Sequence, residues 1–107
     1  MDFEELLKLL KGELLSVLGE SYSEYKTETK ADVEAFLEAS KVKLKRWTNL
    51  LSINELDVDD YEWLLKSQKD LLVLDALYKA GVTKRRLGHL KNKIINTILD
   101  VVIGAVL

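Results

Sequence analysis

Apolar side chains recur every three or four residues along most of the chain. In the first segment, Phe3, Leu7, Leu10 and Leu14 form one stripe. This spacing is typical of amphipathic α-helices, and no stretch alternates apolar and polar residues as a strand would. The pattern predicts an all-α bundle of four helices, at about 3–18, 21–51, 58–80 and 84–106.

The second predicted helix is long and sets the expected shape. Tyr25, Phe36 and Trp47 stand eleven residues apart, a repeat that fits a nearly straight α-helix. A helix over 21–51 would be about 46 Å long, whereas a compact chain of this size is about 34 Å across. We therefore expect an elongated bundle, unless this helix breaks near residues 27–29.

The composition limits the classes of protein. The chain has 107 residues, 48% of them hydrophobic, which suits a single domain over residues 1–107 with a real core. It contains no Cys, which excludes disulfides, thiolate nucleophiles and Cys-type zinc sites. The absence of Cys fits a reducing compartment, so we expect a cytoplasmic location or one inside a particle assembled in the cytoplasm.

Acidic and basic residues alternate in blocks, although the net charge is only −2. One basic block lies at 41–46 and another at 84–93, while 57–62 and 24–38 are acidic. If the second and third helices form an antiparallel hairpin, each basic block lies beside an acidic one. Each exposed ion pair stabilises by only about 0–1 kcal/mol, but together the pairs could fix the helix register.

Two polar residues interrupt the apolar face of the third predicted helix. Gln68 and Asp75 fall among leucines on a helical wheel, so we expect both in the core. A buried carboxylate needs a partner, which Arg85, Arg86 or Lys93 could supply. Such a polar pair can set helix register or the choice of partner.

The turn at 80–83 and the residues after it have some likeness to a helix-turn-helix motif. Gly81 occupies the turn, and the helix that follows begins with three bases, whose charges oppose its dipole. The low net charge argues against strong phosphate binding. In this alternative, the nucleic-acid contacts are Lys84, Arg85, Arg86, His89, Lys91 and Lys93.

No catalytic or cofactor-binding pattern is present in the sequence. His89 is the only His, so it has no second His or Cys with which to share a metal. A calcium loop beginning at Asp57 fails, because its sixth position is Glu62 instead of Gly. We therefore expect no enzymatic activity, no cofactor and no metal site.

The C-terminal end is almost entirely apolar, whereas chain ends are usually polar and frayed. A transmembrane helix needs about 20 apolar residues, and the segment 94–107 is shorter and contains Asp100. The predicted interface with another protein consists of Ile98, Val101, Val102, Ala105, Val106 and Leu107. An alternative is that 94–107 lies flat on a membrane surface.

These features favour a non-enzymatic structural or scaffolding module. We expect it to associate with copies of itself or to dock in a larger assembly, for which a virion is one conceivable setting. The alternatives are nucleic-acid binding through 84–93 and peripheral membrane attachment through 94–107.

Overall fold

A computed structural model of the chain describes residues 2–68 and 72–107, with every side chain in those ranges except that of Ser21. The described residues contain no strand, and their α-helices are α1 (Phe3–Ser21), α2 (Lys26–Ser52), α3 (Val58–Ser67), α4 (Asp75–Lys79) and α5 (Lys84–Val106). A single 3₁₀ turn, Ser23–Tyr25, leads directly into α2. The prediction of an all-α bundle with one long helix is confirmed.

Helices α1, α2 and α5 form the body of the bundle. Glu4, at the start of α1, pairs with Lys41 in the second half of α2. Tyr22, after the end of α1, contacts Arg86 near the start of α5. Helix α1 therefore runs antiparallel to both α2 and α5.

The core lies along the facing stripes of these three helices. Leu10 and Leu14 of α1, Leu44 of α2, and Ile94 and Ile98 of α5 are each at most 1% exposed. Their three- and four-residue spacing places one apolar face of each helix inward. Burying a side chain of this size stabilises the fold by about 2 kcal/mol.

The long helix begins later than predicted: α2 starts at Lys26 instead of residue 21 and ends at Ser52, one residue beyond the predicted end. Helix α2 continues without interruption through residues 27–29, so the alternative of a break there is wrong. Helix α1 continues past the expected end at Leu18 as far as Ser21. The principal extents of the molecule are 42 × 23 × 20 Å, which makes it nearly twice as long as it is wide.

The predicted helix over 58–80 is wrong in its extent. Its residues 69–71 lie outside the described residues, and 72–74 are not helical. Leu72 and Leu74 are both buried while Val73 between them is 68% exposed. Residues two apart on an α-helix point about 200° away from each other. A continuous helix would therefore expose one of these leucines, and the non-helical segment buries both.

Capping residues fix the start of two helices. The Asp57 carboxylate accepts a hydrogen bond from the Asp60 N–H at 2.7 Å at the start of α3. The Thr83 hydroxyl accepts one from the Arg86 N–H at 3.3 Å at the start of α5. Gly81, in the turn before Thr83, has a φ of 101°, which side chains disfavour and glycine tolerates.

Candidate functional site

The apolar C-terminal end packs largely within its own chain. Ile98 and Val102 are fully buried, which corrects the prediction that they form an interface with another protein. The antiparallel helix α1 covers this end of α5, because Ala105 and Val106 line a shallow depression together with Phe3 and Leu6. The remaining residues of the predicted interface are the half-buried Val101, Ala105 and Val106 and the exposed Leu107.

The predicted polar core pair is not formed. Gln68 is buried, and its side-chain amide donates to the Ser67 hydroxyl at 3.2 Å. Asp75 is exposed in the first turn of α4 and pairs with Lys79 at 3.0 Å. The expectation that Asp75 is buried beside an arginine or Lys93 is wrong. Gln68 and Asp75 do not share a helix face, because α3 ends at Ser67 and α4 begins only at Asp75.

The buried carboxylate of the fold belongs to Asp32 of α2. This residue is 5% exposed, and its two oxygens accept hydrogen bonds from the N–H groups of Ala76 and Leu77 at 3.0 and 2.9 Å. These donors are the second and third residues of α4, the positions that a helix-capping side chain normally satisfies. Asp32 therefore caps α4 from another helix and fixes it against α2. Sequence periodicity gives no signal for a cap supplied from so far along the chain.

A second polar contact holds α3 against α2. The hydroxyl groups of Thr48 and Tyr61 are 3.1 Å apart, and Tyr61 is fully buried. Burial raises the pKa of the Tyr61 phenol above its ordinary value of 10.0, although the hydrogen bond with Thr48 lowers it somewhat. The inward direction of Tyr61 fixes the rotation of α3 and leaves the opposite side of that helix facing solvent.

That outer side of α3 carries an acidic surface around a tryptophan. Trp63 is 69% exposed. Asp59 and Asp60, four and three residues before it, are also exposed and lie on the same side of the helix. We call Asp59, Asp60, Glu62 and Trp63 the acidic tryptophan face. On a helical wheel of the sequence, Trp63 lies outside the stripe formed by Tyr61 and Leu65, so its exposure could have been predicted.

A depression with apolar walls lies where α4 meets α5. Its volume is about 210 Å³. Val73 and Tyr78 line it and are 68% and 54% exposed. Lys91 lies at its edge, and Lys84 stands on the same side of α5, seven residues earlier. We call this site, lined by Leu72, Val73, Leu74, Asp75, Tyr78, Leu87 and Lys91, the basic depression.

The basic block at the start of α5 is exposed to solvent. Lys84, Arg85, Arg86, His89 and Lys93 are exposed and Lys91 is half-buried. The Arg86 guanidinium lies over the Tyr22 ring, 4.9 Å from its centroid. The ion pairs that link helices within the described ranges join Lys11 to Glu34 and Lys41 to Glu4. The expected pairing of 41–46 with 57–62 is therefore wrong for Lys41, whose partner lies on α1.

Comparison with known proteins gives no relative: no family model, curated protein or solved structure matches the chain. Among the described residues, no helix is long and apolar enough to cross a bilayer. The apolar side of 94–107 that a membrane surface would contact contributes Ile94, Ile98 and Val102 to the core. The function must therefore be argued from the acidic tryptophan face and the basic depression.

Replacing Asp32 tests whether α4 depends on its cap from α2. We expect Asp32→Asn to lower the free energy of unfolding by about 2 kcal/mol, since one buried N–H of α4 loses a charged acceptor. Urea denaturation measures this loss, and amide hydrogen exchange at Ala76 and Leu77 should accelerate. The matched control Asp75→Asn, at an exposed position, should change the free energy by less than about 0.5 kcal/mol. Equal stability of Asp32→Asn and wild type would show that the cap is not needed.

Replacing Tyr61 tests the contact that orients α3. Tyr61→Phe should cost about 1 kcal/mol at neutral pH, because the Thr48 hydroxyl loses its partner. The raised pKa of Tyr61 means that folding favours its neutral form. This contribution is complete below the unfolded pKa of about 10 and is lost as the pH rises through the folded pKa.

Urea unfolding between about pH 9 and pH 11 measures this contribution from Tyr61. Wild type should lose more stability than Tyr61→Phe over this range. Tyr78→Phe, at an exposed tyrosine, should follow wild type, and the same behaviour from Tyr61→Phe would contradict the assignment.

Proposed function

We propose that this protein is a non-enzymatic structural module that assembles head to tail with copies of itself. The acidic tryptophan face of one copy docks in the basic depression of the next. The observation that carries the proposal is the presence, on one chain, of two exposed apolar sites bordered by charges of opposite sign that form no ion pair in the described part of the chain: Asp59 and Asp60 at one, Lys84 and Lys91 at the other. Asp75 also lines the depression, but its carboxylate pairs with Lys79. A second copy of the chain therefore carries the partner surface for each site.

The acidic tryptophan face has the chemistry of an interface anchor. Tryptophan is enriched among the residues that contribute most to binding between proteins. Trp63 exposes 69% of its surface while Tyr61 and Leu65 of the same helix are fully buried. Exposing so large an apolar side chain is unfavourable in an isolated molecule, and docking removes it from water.

The basic depression complements that anchor in apolar character and charge. Leu72 and Leu74 supply buried apolar walls, and Val73 and Tyr78 supply exposed ones. Lys84 and Lys91 have no ion-pair partner in the described part of the chain. Pairing with Asp59 and Asp60 of a second copy would satisfy them and fix the orientation of the two molecules.

The interaction joins two different surfaces, so it is heterologous. A heterologous contact produces either a closed ring or an open chain of molecules. Each surface is small, and interfaces below about 1,200 Å² are typical of weak and transient complexes. We therefore expect assembly at micromolar to millimolar concentration. The apolar C-terminal end does not provide this interface, because Ile98 and Val102 are buried within their own chain.

Sedimentation velocity over a range of protein concentrations tests the assembly. Wild type should form species larger than a monomer, with less assembly at high salt because charge pairing is screened. Trp63→Ala should weaken association about tenfold or more, as expected for loss of a central anchor. Val42→Ala, at a side chain that is 80% exposed on α2, is the control and should assemble like wild type.

A charge exchange identifies the two surfaces as partners. Asp60→Lys alone and Lys91→Glu alone should each impair assembly, because like charges then meet across the contact. Mixing the two variants should restore assembly, since each altered surface finds an opposite charge on the other variant. A monomeric wild type at millimolar concentration, or a mixture that behaves like its separate components, would refute the proposal.

Nucleic-acid binding through 84–93 is a second candidate, supported by the exposed bases at the start of α5. Lys84 and Arg85 are exposed and form no ion pair within the described ranges, so the charge of this helix start is not neutralised there. A gel shift at low salt tests it: Lys84→Glu with Arg85→Glu should abolish retardation of a DNA duplex. Absence of retardation for wild type at high micromolar protein would exclude this candidate.

A further inference from the structure

A third depression lies between the end of α1 and the start of α2. Its volume is about 240 Å³, and its lining residues are Leu15, Gly19, Tyr22, Lys26, Thr29 and Lys30. None of these residues belongs to the acidic tryptophan face or to the basic depression. We call it the helix-corner depression.

The interior of the helix-corner depression is apolar and has room for a ligand. Leu15 and Tyr22 form its α1 side, and Gly19 between them contributes no side chain. A Cβ atom added at Gly19 would meet no atom within 4 Å, so the space above this residue is open. Tyr22 is held in place because its hydroxyl donates to the Arg86 carbonyl and the Arg86 guanidinium covers its ring.

Two lysines border this apolar space. Lys26 and Lys30 are exposed and stand four residues apart on α2, so their side chains project from the same side of the helix. Neither forms an ion pair with a described residue. Lys11, further along the same pair of helices, donates to Glu34 at 2.6 Å, and together with a smaller contribution from the charge of Lys30 it holds the pKa of that carboxyl below its usual value.

Thr29 adds a polar group to the wall on the α2 side. The residue is 3% exposed, and its hydroxyl has no hydrogen-bond partner among the described residues. A buried hydroxyl without a partner costs about 1–3 kcal/mol. The hydroxyl oxygen has almost no exposed surface, so a ligand would recover part of this cost only after a rotation of the Thr29 side chain.

We propose that the helix-corner depression binds an anionic amphiphile, with its alkyl chain over Gly19 and its anionic head group paired with Lys26 and Lys30. The chemistry that recognises such a ligand is an apolar space bordered by cations. A free medium-chain fatty acid and an anionic lipid at a bilayer surface share this chemistry. The proposal does not depend on self-assembly, because the residues of the three sites differ.

Decanoate is the probe for a free amphiphile, and NMR titration of the amide signals measures its binding. Wild type should show saturable shifts at Gly19 and Thr29. Lys30→Glu and Lys26→Glu should each weaken binding about tenfold or more, the size of effect that loss of a charge pair produces. Gly19→Leu should abolish binding by filling the space. Decanol, which lacks the charge, should bind more weakly than decanoate.

The control for the charge reversals is Lys45→Glu, an exposed lysine on α2 outside the depression, which should bind decanoate like wild type. Flotation with phosphatidylglycerol vesicles distinguishes the two sources of ligand. Vesicle binding that Lys30→Glu abolishes would assign the site to a lipid surface, and decanoate binding alone would assign it to a free amphiphile. No binding of either probe, or equal binding by wild type and Gly19→Leu, would overturn the proposal.

Discussion

The arrangement of this fold depends on two polar contacts made by its long helix. Asp32 caps α4 through two backbone N–H groups, and Thr48 hydrogen-bonds to the buried Tyr61 of α3. Helices of five and ten residues have little stability on their own in water, because forming the first turn is costly and few hydrogen bonds follow. Helix α2 therefore stabilises α3 and α4 through these hydrogen bonds. Apolar packing alone would hold them less specifically, since it has no preferred direction.

These contacts also determine which side chains face solvent. Because Tyr61 points into the core, Trp63 on the same helix points away from it. Because the N-terminus of α4 is fixed to Asp32, the non-helical segment before it buries Leu72 and Leu74 and leaves Val73 outside. The exposure of Trp63 and Val73 is therefore a consequence of the contacts that bury their neighbours in the core. The exposure of these large apolar side chains, which is unfavourable in water, is the physical reason to consider them as binding surfaces.

Apolar periodicity in the sequence was enough to predict the long helices, but not the structure of the segment between α3 and α5. The periodic apolar stripes of α1, α2 and α5 each span several turns, so one misplaced residue does not obscure them. Near Leu72 and Leu74 the run of leucines fits several rotations of a helix, and periodicity cannot show that a non-helical segment buries both of them. The burial of Ile98 and Val102 was equally hidden, because the apolar tail of α5 is covered by α1, far away in sequence. Of the two proposed surfaces, Lys84 and Lys91 are recognisable in the sequence as part of the basic block at 84–93, and Trp63 is recognisable by its position outside the apolar stripe.

The distribution of charge gives the head-to-tail arrangement its physical basis. Within the described ranges, the ion pairs between helices join α1 to α2, while Asp59 and Asp60 on α3 and Lys84 and Lys91 on α5 have no such pair. Exposed charges of opposite sign on separate surfaces of one molecule cannot neutralise each other internally. Charges on two copies can neutralise each other across a contact. The apolar residues beside them keep part of that contact favourable when salt screens the charges. Charge would then select which surfaces meet, while Trp63 and the walls of the basic depression would provide most of the affinity.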